Sequence, residues 1–253
     1  MNTDPHAIGW KSVAVNLSDI AAMGATPHSI LLALSLPQID HDWLKAFSQG
    51  LYDCCDQFGV RLIGGDTTQS PHLTLSVTAL GWVDTGLAVP RSGAQIGDLI
   101  CVSGTVGDAA FGLKHLGHDL QKRLDYPTPR CALGAALKGL ANSMIDVSDG
   151  LAQDLGHILK ASNVGAKLQL ENLPLSTALH ALNDEQKWQY ALAGGDDYEL
   201  CFTISPQNYE KLLQKQLDDS ISIIGTIQQQ RGLTFEKDGV DHLLQFNGYQ
   251  HFA

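Results

Sequence analysis

Three short apolar runs in this chain of 253 residues abut glycine-flanked acidic clusters. Residues 60–64 run into Gly64-Gly65-Asp66-Thr67-Thr68. Residues 143–146 run into Val147-Ser148-Asp149-Gly150. The cluster Gly194-Gly195-Asp196-Asp197-Tyr198 leads into the apolar stretch 199–204. A fourth cluster, Asn16-Leu17-Ser18-Asp19, falls inside a helical pattern over 10–24. There Val13, Leu17, Ile20 and Ala21 recur at spacings of three and four, and Gly24 and Pro27 end the pattern.

A carboxylate on an apolar helix face is costly to bury unless it is paired or metal-bound. Carboxylates at strand ends, among glycines and hydroxyls, suit hard divalent cations that share their shell with phosphates. The net charge of −11 strengthens this reading, because no basic block is available to hold a polyanion directly. Asp19, Asp66, Asp146 and Asp149 are thus candidate metal ligands in a metal-bridged polyphosphate site. Each also has a plainer role open to it. Asp19 fits a cap or an exposed helix position, Asp66 a turn, Asp146 and Asp149 a helix cap, and Asp196 and Asp197 a solvated loop.

The same charge excludes a nucleic-acid partner and an anionic membrane surface. No apolar run reaches the ~20 residues of a membrane span. Cys54, Cys55, Cys101, Cys131 and Cys201 are odd in number and form no CxxC pair. That usage points to a reducing, cytoplasmic setting. The Walker pattern GxxxxGK[ST], HExxH and a serine nucleophile elbow are all absent.

The periodicity predicts further helices from 40 or 41 through 55, over 107–116, 131–141, 151–162 and 206–217, and before Gly194. It predicts strands over 29–36, 60–64, 73–83, 98–104, 143–146, 166–170, 199–204, 221–227 and 233–237. Helices and strands mix without a regular βαβ alternation, so the expected fold class is α+β. A composition shift at Pro90-Arg91-Ser92-Gly93-Ala94 places a boundary between residues 1–93 and 94–253.

The run from Ala14 to Ala25 (AVNLSDIAAMGA) resembles the thiamine-monophosphate kinase family. So do Leu62-Ile63-Gly64-Gly65-Asp66-Thr67-Thr68, Ile145-Asp146-Val147-Ser148-Asp149-Gly150-Leu151, Gly194-Gly195-Asp196-Asp197-Tyr198-Glu199-Leu200 and Gly248-Tyr249-Gln250-His251-Phe252. The resemblance spans nearly the whole chain. It implies a two-domain fold like that of aminoimidazole-ribonucleotide synthetase, with an N-terminal dimerising domain and an α/β C-terminal domain. It implies a homodimer that moves the γ-phosphoryl group of ATP to thiamine monophosphate with the help of several Mg²⁺ ions. The implied metal ligands are Asp19, Asp66, Asp146 and Asp149. The implied ATP contacts are Gly65, Asp66, Arg91 and Ser148, and the implied contacts to the thiamine end are Asp196 and Tyr249. No acid, base or nucleophile is implied.

Family members also carry an N-terminal segment with Gly-Asp-Asp and Ser-Thr-Asp loops, and neither motif stands ahead of Asp19. For residues 1–253 alone this implies weak metal binding, little turnover and self-association through an uncovered sheet edge. In that picture Asp19, Asp66, Asp146 and Asp149 lie close together. Two rival readings are a nucleotide- or thiamine-phosphate-binding module without turnover, and a sibling ATP-dependent synthetase.

Overall fold

The computed structural model describes residues 3–215, 217, 220–244 and 246. The chain opens with α1 (Pro5–Ala22), β1 (Thr26–Leu36), α2 (His41–Gln57), β2 (Arg61–Gln69) and β3 (Thr74–Trp82). It continues with β4 (Leu99–Ser103), α3 (Asp108–Lys114), α4 (Gln121–Asp125), α5 (Cys131–Leu137), β5 (Ala141–Asp146), α6 (Leu151–Ser162) and β6 (Gly165–Gln169). The remainder is α7 (Thr177–His180), α8 (Asp184–Ala193), β7 (Leu200–Ile204), α9 (Pro206–Leu213), β8 (Ile221–Gln228), β9 (Gly232–Lys237) and β10 (Val240–His242).

Two sheets organise these elements. The first has the order β2-β1-β3, with β1 parallel to β2 and antiparallel to β3. Helices α1 and α2 cover one of its faces. Val13, Leu17, Ile30, Phe47 and Leu51 are buried between them, and each such side chain contributes about 1.5–3 kcal/mol by leaving water. The opposite face carries Leu31, Ile63, Leu80 and Trp82, the last 69% exposed.

The second sheet has the order β10-β9-β6-β8-β4-β7-β5 and is antiparallel except at β6–β9. Both of its faces are covered, as the register of the central strands shows. Val102 lies opposite Cys201, and both join a core under α6 and α8 with Leu151, Leu155 and Ala191. Cys101 lies opposite Phe202, and both join a second core with Leu133 and Leu137 of α5. Ala21 and Ala22, at the end of α1, belong to that second core. Helix α1 therefore runs from the core of the first sheet to that of the second, and fixes its last two turns against the end of β5.

Several elements differ from their sequence expectation. Helix α1 starts at Pro5 rather than at residue 10, because Asp4 caps it through the His6 N–H and Pro5 occupies its first turn. Residues 64–68 continue β2 instead of forming a loop. Gly64 and Gly65 pair with Leu31 and Leu32 after a register shift at Ile30/Leu31. Helix α5 ends at Leu137, since Gly139 turns the chain into β5. Helix α4 and strand β10 are short elements that periodicity does not reveal.

Candidate active site

Strand β5 delivers Asp146, 5% exposed, to the edge of the second core. The loop from Val147 to Gly150 follows and then opens α6. Its outer side is stitched to the segment before β7. The Asp196 N–H donates to the Ser148 carbonyl at 2.9 Å, the Tyr198 N–H donates to the Val147 carbonyl at 2.9 Å, and the Val147 N–H donates to the Glu199 carbonyl at 2.8 Å. Its inner side rests on Asp154, whose Oδ2 accepts the N–H groups of Ser148, Asp149 and Gly150 at 3.0, 3.0 and 3.1 Å. The cap role open to Asp146 and Asp149 is not what the helix uses. Its N-cap is Gly150, which has no side chain to give, and Asp154 satisfies the loop donors instead.

Helix α1 brings Ser18 and Asp19 to the same place. Ser18, not Asp19, is the buried member: it is fully inaccessible, whereas Asp19 opens to solvent. The Ser18 hydroxyl makes no full hydrogen bond, yet it faces Asp146 closely enough to pull that carboxyl's pKa down. Burial dominates and pushes Asp146 up to about 6. The charge of Asp19 adds to the rise, while Ser18 and the Arg91 guanidinium oppose it. Partial burial likewise raises Asp19, and Arg91 lowers it. Arg91 thus projects its charge onto both carboxyls. The backbone just beyond it is tied to the Ser162 hydroxyl through the N–H groups of Gly93 and Ala94, both at 3.1 Å.

Asp196 sits on the far side of Ser148. It pairs with Lys11 of α1 at 3.1 Å and accepts the Tyr198 hydroxyl at 2.8 Å. Asp196 and Tyr198 both hold left-handed backbones, φ 66° and 52°. Non-glycine residues rarely do so, and such strain concentrates at functional sites. Tyr198 feels the charges of Asp146 and Asp19. It also lines a cavity of about 360 Å³ between α1 and β3, with Lys11, Asn16, Leu75 and Val77.

Two nodes lock this segment from below. Glu199 is fully buried and accepts the Ser103 hydroxyl at 2.5 Å, Arg123 Nη2 at 2.6 Å, and Arg130 Nε and Nη2 at 2.7 and 2.6 Å. Asp197, also buried, accepts the Gly107 N–H at 2.7 Å, and burial pushes its carboxyl well above the usual range.

The structure therefore gathers Asp19, Asp146, Asp149, Arg91, Ser148 and Asp196. It does not bring Asp66 to them. That residue is exposed on β2 opposite Ala33, with its carboxylate on the Thr67 N–H at 2.9 Å. The expectation that all four aspartates lie close together is thus corrected. Among the described residues, no three His, Cys, Asp or Glu side chains surround a common point. Tyr249 lies outside the described residues.

Gly65 neighbours Asp66 at φ 152°, where a Cβ would stand 1.9 Å from the Leu32 carbonyl oxygen. Gly65→Ala is expected to cost roughly 2 kcal/mol or more through overlap and strain. A thermal melt would then show a midpoint lower by about 4–8 °C.

Lys11, Tyr198, Asp154 and Glu199 escaped the sequence reading of the site. Tyr198 and Glu199 stood within a quoted motif without a role, and Lys11 had a legible signal two turns before Ser18 on the same helix stripe.

The model of the AIR synthase related protein N-terminal domain matches residues 1–83, and that of the C-terminal domain matches 95–238. The thiamine-monophosphate kinase of Escherichia coli K12 is 46% identical over 99% of this chain and 81% of its own length. The crystal structure of thiamine-monophosphate kinase from Stenotrophomonas maltophilia K279a superposes with a TM-score of 0.87 at 46% identity, covering 94% of this chain and 80% of that one. AaThiL complexed with AMPPCP and TMP superposes with a TM-score of 0.86 at 31% identity, covering 99% of this chain and 82% of that one. An acidic site built on these two sheets, in a chain so similar to these proteins over nearly its whole length, establishes that the chain belongs to the thiamine-monophosphate kinase family of AIR synthase related proteins.

Proposed function

We propose that the chain transfers the γ-phosphoryl group of ATP to thiamine monophosphate, giving thiamine diphosphate. The observation that carries the reading is the meeting of Asp19 and Asp146 beside the buried Ser18 hydroxyl, with Arg91 facing both. It draws further support from AaThiL, which was solved with AMPPCP and TMP.

The oxygen donors fit Mg²⁺, which takes one or two carboxylates and completes its shell with phosphate and water. Asp19, Asp146 and Asp149 would hold such ions singly or in pairs, and Asp66 with Gly65 would meet the nucleotide from β2. When bound, such ions neutralise the charge of the triphosphate. The chain's own residues position the rest. In this reading Arg91 and Ser148 would contact the ATP phosphates and Asp196 would face the thiamine end, a role the family resemblance also gives to Tyr249. The acceptor is a phosphate monoester whose second pKa is about 6. Its attacking oxygen is already ionised at neutral pH, so in-line transfer needs alignment and no side-chain base.

The apolar outer face of the first sheet supports a homodimer, with residues 1–93 as the dimerising domain and 94–253 as the second domain. A cytoplasmic setting agrees with the odd number of cysteines and the lack of a CxxC pair.

The test is thiamine diphosphate formation from ATP and thiamine monophosphate. Product that forms with Mg²⁺ and not with EDTA is the expected result. A phosphorylated protein intermediate, or ATP turnover that ignores thiamine monophosphate, would overturn it. A second reading, binding of both ligands without transfer, takes its support from the lack of a three-ligand acidic cluster among the described residues. Bound ligands without product would select it.

Asp196→Asn removes the negative charge proposed to face the cationic thiazolium. The KM for thiamine monophosphate is expected to rise about five- to tenfold, in line with a partly exposed charge contact. The KM for ATP should hold, and steady-state kinetics in both substrates check the split.

A further inference from the structure

The loop that enters α6 is held from inside by a side chain of that helix. Here the N–H groups of Ser148, Asp149 and Gly150 all turn inward onto one oxygen, Asp154 Oδ2, at 3.0, 3.0 and 3.1 Å. Asp154 is 2% exposed beneath the loop, so no external anion reaches those donors. Gly150 makes the convergence possible with φ 123°, a conformation that L side chains rarely adopt. The carbonyls of Val147 and Ser148 face the other way and accept from Tyr198 and Asp196.

We infer that Asp154 is a positioning residue that holds the loop before α6 in place for cation binding by Asp146 and Asp149. It takes up the three loop N–H groups and fixes the backbone from which Asp146 and Asp149 project. The assignment rests on the metal-bridged nucleotide reading proposed above, and it adds a residue that the sequence motifs did not mark.

Two variants of the full chain test it, Asp154→Ala and Asp154→Asn. The asparagine side-chain oxygen still accepts N–H groups, whereas alanine frees all three. Calorimetric titration with AMPPCP in Mg²⁺ should show affinity lowered about 10- to 100-fold in the alanine variant, the range for loss of a group that orients metal ligands. The asparagine variant should stay within about threefold of wild type. In a second arm, inorganic phosphate without metal should raise the thermal midpoint of the alanine variant more than that of wild type, because only the variant frees the three loop N–H groups. A merely structural role would not produce that gain of phosphate response. An alanine variant with wild-type Mg²⁺ dependence and no response to phosphate would overturn the assignment. Should the alanine variant fail to fold, asparagine decides: retained Mg²⁺-dependent affinity supports the role, and its loss overturns it. Wild type that takes no Mg²⁺–AMPPCP would refute the metal-bridged reading alone, and the phosphate arm would still decide on Asp154.

Discussion

Glu199→Ala is expected to lower unfolding stability by about 3–5 kcal/mol, the cost of leaving buried charge without its partner. Arg123 and Arg130 converge on this carboxylate, which has no exposure to water, and the Ser103 hydroxyl adds a fourth bond at 2.5 Å. Removing the carboxylate strands two guanidinium groups, and a cavity opens beside Gly104, where the Glu199 carboxylate occupies the space a Cβ would take. The Glu199 backbone also holds Val147, so the loss should loosen the Ser148–Gly150 loop. Urea unfolding followed by circular dichroism measures the effect. A midpoint within error of wild type would show that the node is not a keystone.

Asp146→Asn is expected to reduce Mg²⁺-dependent nucleotide affinity at least about tenfold and to leave the fold intact, since tenfold corresponds to only 1.4 kcal/mol. Asparagine matches aspartate in shape. In the metal-free protein Asp146 is desolvated, with its carboxyl pushed up to about 6. Exchanging a poorly solvated carboxylate for a neutral amide therefore carries little stability penalty, and the thermal midpoint without metal should not fall. The helix-cap role predicts unchanged binding as well as unchanged stability, because asparagine caps a helix about as well as aspartate. The structure already speaks against it, because Gly150 occupies the N-cap.

Local signals carried much of this fold. Apolar spacing in α1 and α2, the alternation of β3 and the short, mostly apolar run of β7 each read correctly, because each pattern matches the period of the element it forms. Ser148, Asp149 and Asp196 were legible because they belong to short motifs at element ends. What stayed hidden depends on contacts between distant parts of the chain. Glu199 meets Arg123 and Arg130 from 76 and 69 residues away, and no window of sequence pairs them. Asp154 read as an ordinary helix residue, since its role exists only once the preceding loop folds back over it. The extension of β2 through Gly64 and Gly65 was missed for a related reason. Tandem glycines suggest a turn, and only the approach of the β1 backbone makes them a strand.

In the function proposed above, polyphosphate binds chiefly through cations on Asp19, Asp146 and Asp149, with Arg91 and Ser148 adding direct contacts. Calorimetric titration of AMPPCP into the wild-type chain, once with Mg²⁺ and once with EDTA, tests that claim most directly. Affinity at least about tenfold tighter with Mg²⁺ is the expected result, as metal-bridged phosphate binding requires. Equal affinity in the two titrations would contradict it.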